Sequence, residues 1–397
     1  MTRVRRASLA LDNEKAALSR GTTNHQRRIL ILVYSLARGG AERMSTEIAR
    51  AWSDRGYAVT IVTLAPAETD FYKLDPRISR ISLLFPAEYD SNPWRRGWAN
   101  LARAHAVRRV LRQVRPDIVL GMTTLAAILV ALASFGLKVK AFGSERIHPP
   151  TVRLGAAEEW ARRIGYRLLT GVICQTEQSA AWVRENTWAR EVRVVPNLVV
   201  LPLPKHEPVL PTQAVPPERK LLLGVGRLDL QKQFGKLIHA FSRVAPGAPD
   251  WDLVILGDGS EREELENQVR DLGLADRVSL PGAAGNVSDW YERADIYALS
   301  SAFEGFPNSL LEAMAHGVAP IAFDCPTGPA DMITAGDNGL LVPLDDMEGL
   351  TRALSELMSD DALRSSLGER AHRVRETFGE RRIIERWLVA FGEADRL

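Results

Sequence analysis

Runs of apolar residues long enough for strands alternate with helical patterns along most of the chain. Residues 28–34 are almost continuously apolar, which is typical of a strand buried on both faces. After a diglycine, residues 41–55 carry apolar side chains at helical spacing, and residues 58–64 form the next apolar run. The pattern predicts a βαβ unit, whose two strands pair in parallel.

The same alternation continues through the rest of the sequence. Further strands are predicted at residues 117–120, 138–142, 171–175, 192–195, 220–225, 251–256, 277–280, 296–300 and 319–323. Helical patterns occur at residues 125–137, 234–245, 261–272, 287–293, 308–316 and 380–391. Repeated strand–helix units predict an α/β protein with doubly wound parallel sheets.

One stretch, residues 196–220, breaks the alternation with seven prolines. Prolines at this density suit a linker, because they neither donate to a strand ladder nor continue a helix. We therefore predict two α/β domains, at 28–200 and 220–379, joined by a Pro-rich linker at 201–219. The C-terminal segment 380–397 is expected to return to the first domain, and residues 1–27 to form a disordered basic tail.

Composition narrows the class of protein. The chain has 397 residues, of which 46% are hydrophobic and 25% charged, as in ordinary globular proteins. Two cysteines, Cys174 and Cys325, cannot form a disulfide framework, which favours a reducing compartment. The longest apolar run, residues 125–137, is shorter than the roughly 20 residues of a membrane-spanning helix. We expect a cytoplasmic protein, with a peripheral position on the inner face of the cytoplasmic membrane as the alternative.

Candidate chemistry begins after the predicted strand 220–225. Gly226 permits close backbone approach to a ligand, and Arg227 and Lys232 bring two cations to the start of a helix. Such an arrangement suits a diphosphate, whereas the alternative is a tight turn with two solvated cations. A dinucleotide-binding fingerprint would require glycine where Asp229 stands, which disfavours that class.

A second candidate segment follows the predicted strand 296–300. Pro307 suits the first turn of a helix, where the next backbone amides are available to phosphate or sugar oxygens. These amides belong to Asn308, Ser309 and Leu310. Glu304 in the preceding loop and Glu312 one turn into the helix could grip hydroxyls on two sides of a ligand. The alternative for Glu312 is a solvated helix position, although its apolar neighbours indicate a buried carboxylate, which needs a partner.

Two weaker candidates lie in the first half of the chain. Gly39 and Gly40 lie in the turn between the first strand and the first helix, and they permit close approach to a ligand or form a plain turn. Glu145 and His148 follow the predicted strand 138–142 and could orient an acceptor hydroxyl, or form an ordinary loop with a local ion pair. The sequence holds no zinc-ligand spacing, Walker loop or G-x-S-x-G motif, and its one Asp-x-Asp precedes a strand.

Together these motifs resemble the retaining glycosyltransferases of family 4, which have the GT-B fold of two Rossmann-like domains facing a central cleft. The likeness runs from about residue 28 onward and is strongest over 220–342. Residues 324–329 and 338–342 are similar to a branch that builds capsule, exopolysaccharide, O-antigen and lipid-linked oligosaccharides. One departure is Gly143, which stands where many members carry histidine.

The resemblance implies an activity. A hexosyl or N-acetylhexosaminyl group would move, with retention, from a nucleotide sugar, expected to be a UDP-sugar, to a hydroxyl of a glycan or polyprenyl-diphosphate-linked acceptor. It implies no cofactor and no metal, because Arg227 and Lys232 would bind the donor diphosphate instead. Alternatives are an epimerase-type enzyme on the same fold and a non-catalytic module that binds nucleotide sugars.

The resemblance also implies residue roles. Glu304 would bind the donor sugar, Glu312 the ribose, and the loop near Pro281 and Gly282 the base. The expected catalytic set is Glu304, Arg227, Lys232, Glu145 and His148. The expected donor-binding set is Gly39, Gly40, Gly226, Pro281, Gly282, Phe306, Asn308, Ser309, Leu310 and Glu312.

The net charge of +2 hides a strong asymmetry. Residues 1–200 contain 31 Lys and Arg against 17 Asp and Glu, a net charge of +14, whereas the remainder has 20 against 32, a net charge of −12. The basic half includes Trp94 and Trp98 beside a series of arginines, namely Arg95, Arg96, Arg103, Arg108, Arg109, Arg112 and Arg115. This segment favours an anionic membrane surface or a lipid pyrophosphate over nucleic acid, and a solvated face is the alternative.

Overall fold

The computed structural model describes residues 26–85, 93–152 and 154–396. Within these ranges the chain forms thirteen strands and fourteen helices, besides short 3-10 turns. The strands are β1 (Arg28–Val33), β2 (Ala58–Thr63), β3 (Ser79–Ser82), β4 (Ile118–Met122), β5 (Lys140–Ser144), β6 (Gly171–Cys174), β7 (Val192–Val194), β8 (Lys220–Val225), β9 (Trp251–Leu256), β10 (Val278–Gly282), β11 (Ile296–Leu299), β12 (Ala319–Asp324) and β13 (Leu340–Pro343).

The helices alternate with these strands. They are α1 (Gly40–Asp54), α2 (Pro93–Val114), α3 (Thr124–Ser134), α4 (Ala156–Leu168), α5 (Glu177–Asn186), α6 (Phe234–Val244), α7 (Arg262–Asp271), α8 (Val287–Arg293), α9 (Asn308–Ala315), α10 (Pro329–Met332), α11 (Met347–Ser359), α12 (Asp361–Ala371), α13 (Val374–Phe378) and α14 (Glu380–Ala390).

Two sheets carry the fold. The first has the order β3-β2-β1-β4-β5-β6-β7, and the second has the order β10-β9-β8-β11-β12-β13. The pairs from β3 to β5 and all pairs of the second sheet run parallel. In the first sheet β1 lies between β2 and β4, and in the second sheet β8 lies between β9 and β11. The strand order therefore reverses at β1 and at β8. The predicted pair of doubly wound sheets is confirmed.

By the density of its contacts, the chain divides into two compact units. The first takes in the described residues up to Ser144, with Gly155–Val172 and Asn186–Val192. The second takes in Glu145–Leu154, Ile173–Glu185 and the described residues from Arg193 onward. The core of the second unit packs around fully buried Trp251, Phe241 and Phe323.

Several predicted features can be placed on this fold. Most of the predicted tail lies outside the described residues, but Arg27 donates to Asp117 at 3.0 Å and its carbonyl accepts from the amide of Ala58. The Pro-rich stretch hydrogen-bonds to Gly285 and Asn286 through residues 206–210. In the second unit, the Arg193 guanidinium donates to the last carbonyls of α14. The domain boundaries stay a prediction.

In the first unit, α3 approaches the sheet closely over two paired glycines, Gly121 in β4 and Gly143 in β5. A Cβ atom on Gly121 would lie 2.5 Å from the backbone carbon of Ala126, and one on Gly143 would lie 2.6 Å from the Cβ of Ala127. Gly143 therefore has no room for a side chain. This close helix–sheet contact has no space for the histidine that many members of the resembled family carry at this place.

We expect Gly121→Ala to destabilise the chain by about 1–3 kcal/mol, because the new methyl group meets backbone that cannot move aside. Urea unfolding should show this as a lower midpoint. Gly97→Ala is the matched control, because a Cβ at that position of α2 meets nothing within 4 Å. A stability of Gly121→Ala equal to the wild type would contradict the packing described for α3.

Candidate functional site

The candidate site forms where two neighbouring parallel strands of the second unit end. Strands β8 and β11 pair in the middle of their sheet, at the reversal of strand order. The loops that follow them are hydrogen-bonded to each other, because the amide of Ala302 donates to the carbonyl of Gln231 and the Gln231 side chain donates to the carbonyl of Phe303. The two candidate segments of the sequence therefore belong to one structure.

Lys232 and Glu304 meet in this structure as an ion pair. The Lys232 Nζ lies 2.6 Å from Glu304 Oε1, and the Ser301 hydroxyl donates to the same oxygen at 2.6 Å. Only 6% of Glu304 is exposed, and Ser301 is fully buried. A buried carboxylate must be paired, because removing its partner would leave an uncompensated charge. The fold thus holds the two predicted residues against each other.

Arg227 and Gly226 occupy different places in the same loop. The Arg227 side chain is 72% exposed and lies 3.2 Å from the Asp229 carboxylate, so it forms a solvent-exposed ion pair, in contrast to Lys232. Gly226 lies under the stem of Lys232, since a Cβ there would come within 2.9 Å of the Lys232 Cε. The glycine therefore permits the path of the lysine toward Glu304.

A third loop clamps the backbone around Glu304. The Glu304 amide donates to the carbonyl of Pro326 at 2.8 Å, and the Thr327 amide donates back to the carbonyl of Glu304 at 3.2 Å. The Thr327 hydroxyl also donates to the carbonyl of Gly305 at 2.9 Å. The stretch 324–329, which the sequence singled out only through the resemblance, thus supports the Glu304 loop.

Helix α9 starts directly after the Glu304 loop. No side chain among the described residues caps its first turn, whose amides belong to Asn308, Ser309 and Leu310. The Ser309 hydroxyl accepts from Tyr297, whose pKa is raised by burial, so the phenol stays a donor. The side chain of Leu310 is buried in the core, and Phe306 packs edge-on against Phe378. Any contact of Leu310 with a donor would therefore come from its backbone.

Glu312 is buried and partnered, as its apolar neighbours predicted. It is 5% exposed, and the Tyr291 hydroxyl donates to its Oε2 at 3.1 Å. The His316 ring lies beside it, with Nδ1 at 2.7 Å from the Glu312 carbonyl. Tyr291 was not predicted from the sequence, because it lies on a separate helix, α8, and no local pattern marks its contact with Glu312. His316 was not predicted either, although it lies only four residues after Glu312, at the end of α9.

Two families of known proteins match the chain. The family described as glycosyl transferases group 1 matches residues 210–374, and the family described as Glycosyltransferase Family 4 matches residues 38–201. The chain belongs to the GT-B glycosyltransferases of family 4. The resemblance stated from the motifs is thereby confirmed, and the chain is an enzyme of the glycosyltransferase class.

Individual relatives of this glycosyltransferase cover different shares of it. The exopolysaccharide phosphotransferase SCO2592 of Streptomyces coelicolor is 32% identical over 78% of this chain, which spans only 32% of that protein. The amylovoran biosynthesis glycosyltransferase AmsD of Erwinia amylovora is 26% identical over 91% of this chain and 98% of that protein. The structure of Anabaena HepE in complex with UDP is 19% identical, with a TM-score of 0.75, over 92% of this chain and 99% of that one. The last likeness is one of fold.

Four other predicted site residues of the glycosyltransferase lie away from the two loops just described. Gly39 and Gly40 lie at the start of α1 in the first unit, with the Glu42 carboxylate folded over Gly39. Pro281 and Gly282 were expected in a loop, but they are the last two residues of β10, at the edge of its sheet. The Gly257 amide donates to the Gly282 carbonyl at 2.9 Å, and Gly282 itself has a φ of +106°. Their roles toward a donor stay predictions.

Glu145 and His148 are both buried, in the loop grouped with the second unit. The Glu145 amide donates to the carbonyl of Ile173, and His148 Nδ1 lies 3.0 Å from the Ser179 hydroxyl. Burial lowers the pKa of His148, so its ring stays neutral at physiological pH. A neutral ring suits hydrogen bonding rather than charge stabilisation.

In the described part of the chain, no group of three or more His, Cys, Asp or Glu side chains could hold a metal ion.

The lowered pKa of His148 predicts a pH dependence of stability. Below the ordinary histidine pKa of about 6.5, the unfolded chain binds a proton that the folded chain does not, so the free energy of unfolding falls as the pH falls. We expect His148→Gln to lose less stability than the wild type between about pH 7.5 and about pH 5 in urea unfolding. His239→Gln, at an exposed histidine of α6, should behave as the wild type does. Equal losses in the wild type and His148→Gln would contradict the assignment.

Proposed function

We propose that the chain is a retaining, metal-independent hexosyl- or N-acetylhexosaminyltransferase. It would use a UDP-sugar and a hydroxyl of a glycan or polyprenyl-diphosphate-linked acceptor, in the synthesis of cell-surface polysaccharide or glycolipid. The observation that carries the proposal is the ion pair between Lys232 and Glu304, held beside the uncapped first turn of α9. The cation and the helix amides can bind the diphosphate of a nucleotide sugar, and the carboxylate can bind its sugar.

The leaving diphosphate is the group that needs charge stabilisation. Lys232 has three donors, of which one is directed at Glu304, so two are left for phosphate oxygens. The first-turn amides of α9 and the positive end of its dipole favour an anion at the same place. Exposed Arg227 can join them. Hydrogen-bond donors that are fixed toward the charge developing in the transition state usually supply the largest share of the rate enhancement.

Glu304 would hold the sugar close to the bond that breaks. Its Oε1 is occupied by Lys232 and Ser301, while Oε2 takes no hydrogen bond from the residues that the structure describes, so it can accept from a sugar hydroxyl. In the proposed reaction the acceptor oxygen bonds to the anomeric carbon on the face that the diphosphate leaves. The acceptor proton passes to the leaving phosphate, and the configuration is retained.

The names of relatives support the class of acceptor. AmsD is named for amylovoran biosynthesis, and a Campylobacter jejuni relative is named for an acceptor on PP-undecaprenol. The latter is 26% identical over 92% of this chain and 98% of that protein. A lipid-linked acceptor would place the enzyme at a membrane, and we propose the cytoplasmic face. None of the helices in the described ranges combines the length and the apolar character needed to cross a bilayer.

Helix α2 of the first unit is the part best suited to such a surface. It carries six arginines and no acidic residue. Trp98 is 73% exposed and Leu101 is 55% exposed, while Val107 and Leu111 of the same helix are buried. An arginine-rich helix with exposed Trp and Leu is typical of binding to anionic lipid headgroups. The side chains of Trp94, Arg95 and Arg96, also part of the predicted segment, lie outside the described residues.

We expect Lys232→Ala and Glu304→Ala each to abolish sugar transfer, because each removes one half of the ion pair and one contact to the donor. Both variants should be less stable than the wild type, because each leaves a buried charge without its partner, but they should still fold, as judged by circular dichroism. The assay follows product by mass spectrometry over a panel of nucleotide sugars that includes a lipid-linked acceptor. Lys236→Ala is the matched control, since Lys236 pairs instead with exposed Asp345 and should keep full activity. Full activity in either site variant would sink the assignment.

We also expect the protein to bind phosphatidylglycerol vesicles at low salt and to release them at high salt, because salt screens exposed charges. The double variant Trp98→Ala with Leu101→Ala should bind about tenfold more weakly or worse, since it loses apolar area that enters the interface. Leu272→Ala, at an exposed leucine of the second unit, is the control. Absence of binding to anionic vesicles at low salt would end the proposal for α2.

A further inference from the structure

A buried polar network in the second unit lies directly behind the Glu304 loop. Asn197 is at its centre and is 3% exposed. Its Oδ1 accepts from Gln175 Nε2 at 2.9 Å and from the guanidinium of Arg146. Its Nδ2 donates to Asn308 Oδ1 at 2.6 Å. The network therefore ends on the first residue of α9, the helix whose first turn the proposed function uses.

Arg146 and Gln175 also lie against Gly305, at the other end of the turn that runs from Gly305 to Asn308. A Cβ on Gly305 would lie 2.3 Å from the carbonyl oxygen of Arg146 and 2.7 Å from Gln175 Oε1. No other residue type fits there without displacing the network. The segment between Glu304 and α9 is thus backed at both ends by Arg146, Gln175 and Asn197.

The donors fix the orientation of the Asn197 amide. Two donors, one of them a charged guanidinium, point at its oxygen, so its nitrogen must face Asn308. Asn308 then presents its side-chain oxygen inward, and that oxygen is not available to cap the helix that Asn308 begins. Burial lowers the pKa of Arg146 to about 9, which still leaves its charge in place at neutral pH. A buried cation therefore lies behind the turn that is to meet a diphosphate.

We propose that Arg146, Gln175 and Asn197 are positioning residues that act through Asn308. They hold the turn from Gly305 to Asn308 so that the first-turn amides of α9 and the Glu304 carboxylate meet the same donor. This inference rests on the proposed function, because it takes that turn to be the donor site. It assigns a role to Gln175 and Asn197, which no sequence motif had marked.

A double-mutant cycle between Asn197→Ala and Asn308→Ala tests the proposal. Asn308→Ala keeps the backbone amide that would contact the donor and removes only the side-chain link. Each single variant should weaken UDP binding by calorimetry, and lower kcat/KM, by about tenfold or more, because each breaks the side-chain link that holds the turn in place. In the Asn308→Ala background, Asn197→Ala should add little, since its path to the turn is already broken.

The control is Asn338→Ala. This substitution removes two hydrogen bonds of a different asparagine, with the backbone of Thr334 and of Met332, away from the turn. It should keep both UDP affinity and kcat/KM. If Asn197→Ala fails to fold, Asn197→Ser replaces it in the same cycle. Thermal unfolding of every variant is recorded, so that a loss of stability alone can be recognised.

The outcomes separate this inference from the proposed function. Additive losses of UDP affinity, or coupling that is present in stability but absent in UDP affinity, would overturn the positioning role. A wild-type chain that binds UDP with the expected coupling but transfers no sugar would overturn the proposed function and leave the positioning role standing. If the wild type transfers sugar but the losses of UDP affinity in the two variants are additive, the positioning role would be overturned and the proposed function would stand.

Discussion

The ion pair between Lys232 and Glu304 is the interaction on which the candidate site depends. Its two charges come from loops 72 residues apart in sequence, and only the parallel pairing of β8 with β11 brings those loops together. Burial makes the pair obligatory, because either charge alone would be left without a partner in a poorly solvated place. Ser301 shares the same carboxylate oxygen, which fixes the direction of Glu304.

The surrounding loops can be understood as supports for this pair. Gly226 leaves space for the lysine stem, and Pro326 and Thr327 hold the Glu304 backbone by hydrogen bonds in both directions. On the opposite side of the turn, Asn197 links Arg146 to the start of α9. A site prepared in this way meets a charged donor with little reorganisation, which is the condition for strong electrostatic stabilisation.

Much of this organisation could be predicted from the sequence, for a definite reason. Buried parallel strands are continuous apolar runs, and ligands meet the loops after them, so Lys232 and Glu304 were found from local patterns. Strand β3 was missed because it has only four residues, of which three are polar. Asn197, Gln175 and Tyr291 were missed because their contacts join segments far apart in the chain. The crowding at Gly143 also depends on helix packing that no local pattern expresses.

We propose above all that the donor diphosphate binds at the Lys232–Glu304 pair without a metal. The most direct test is a crystal structure of the protein with UDP, formed in the presence of a chelator. We expect diphosphate oxygens within hydrogen-bond distance of Lys232 Nζ and of a first-turn amide of α9. A diphosphate bound away from Lys232, or bound only when a divalent metal is supplied, would contradict it.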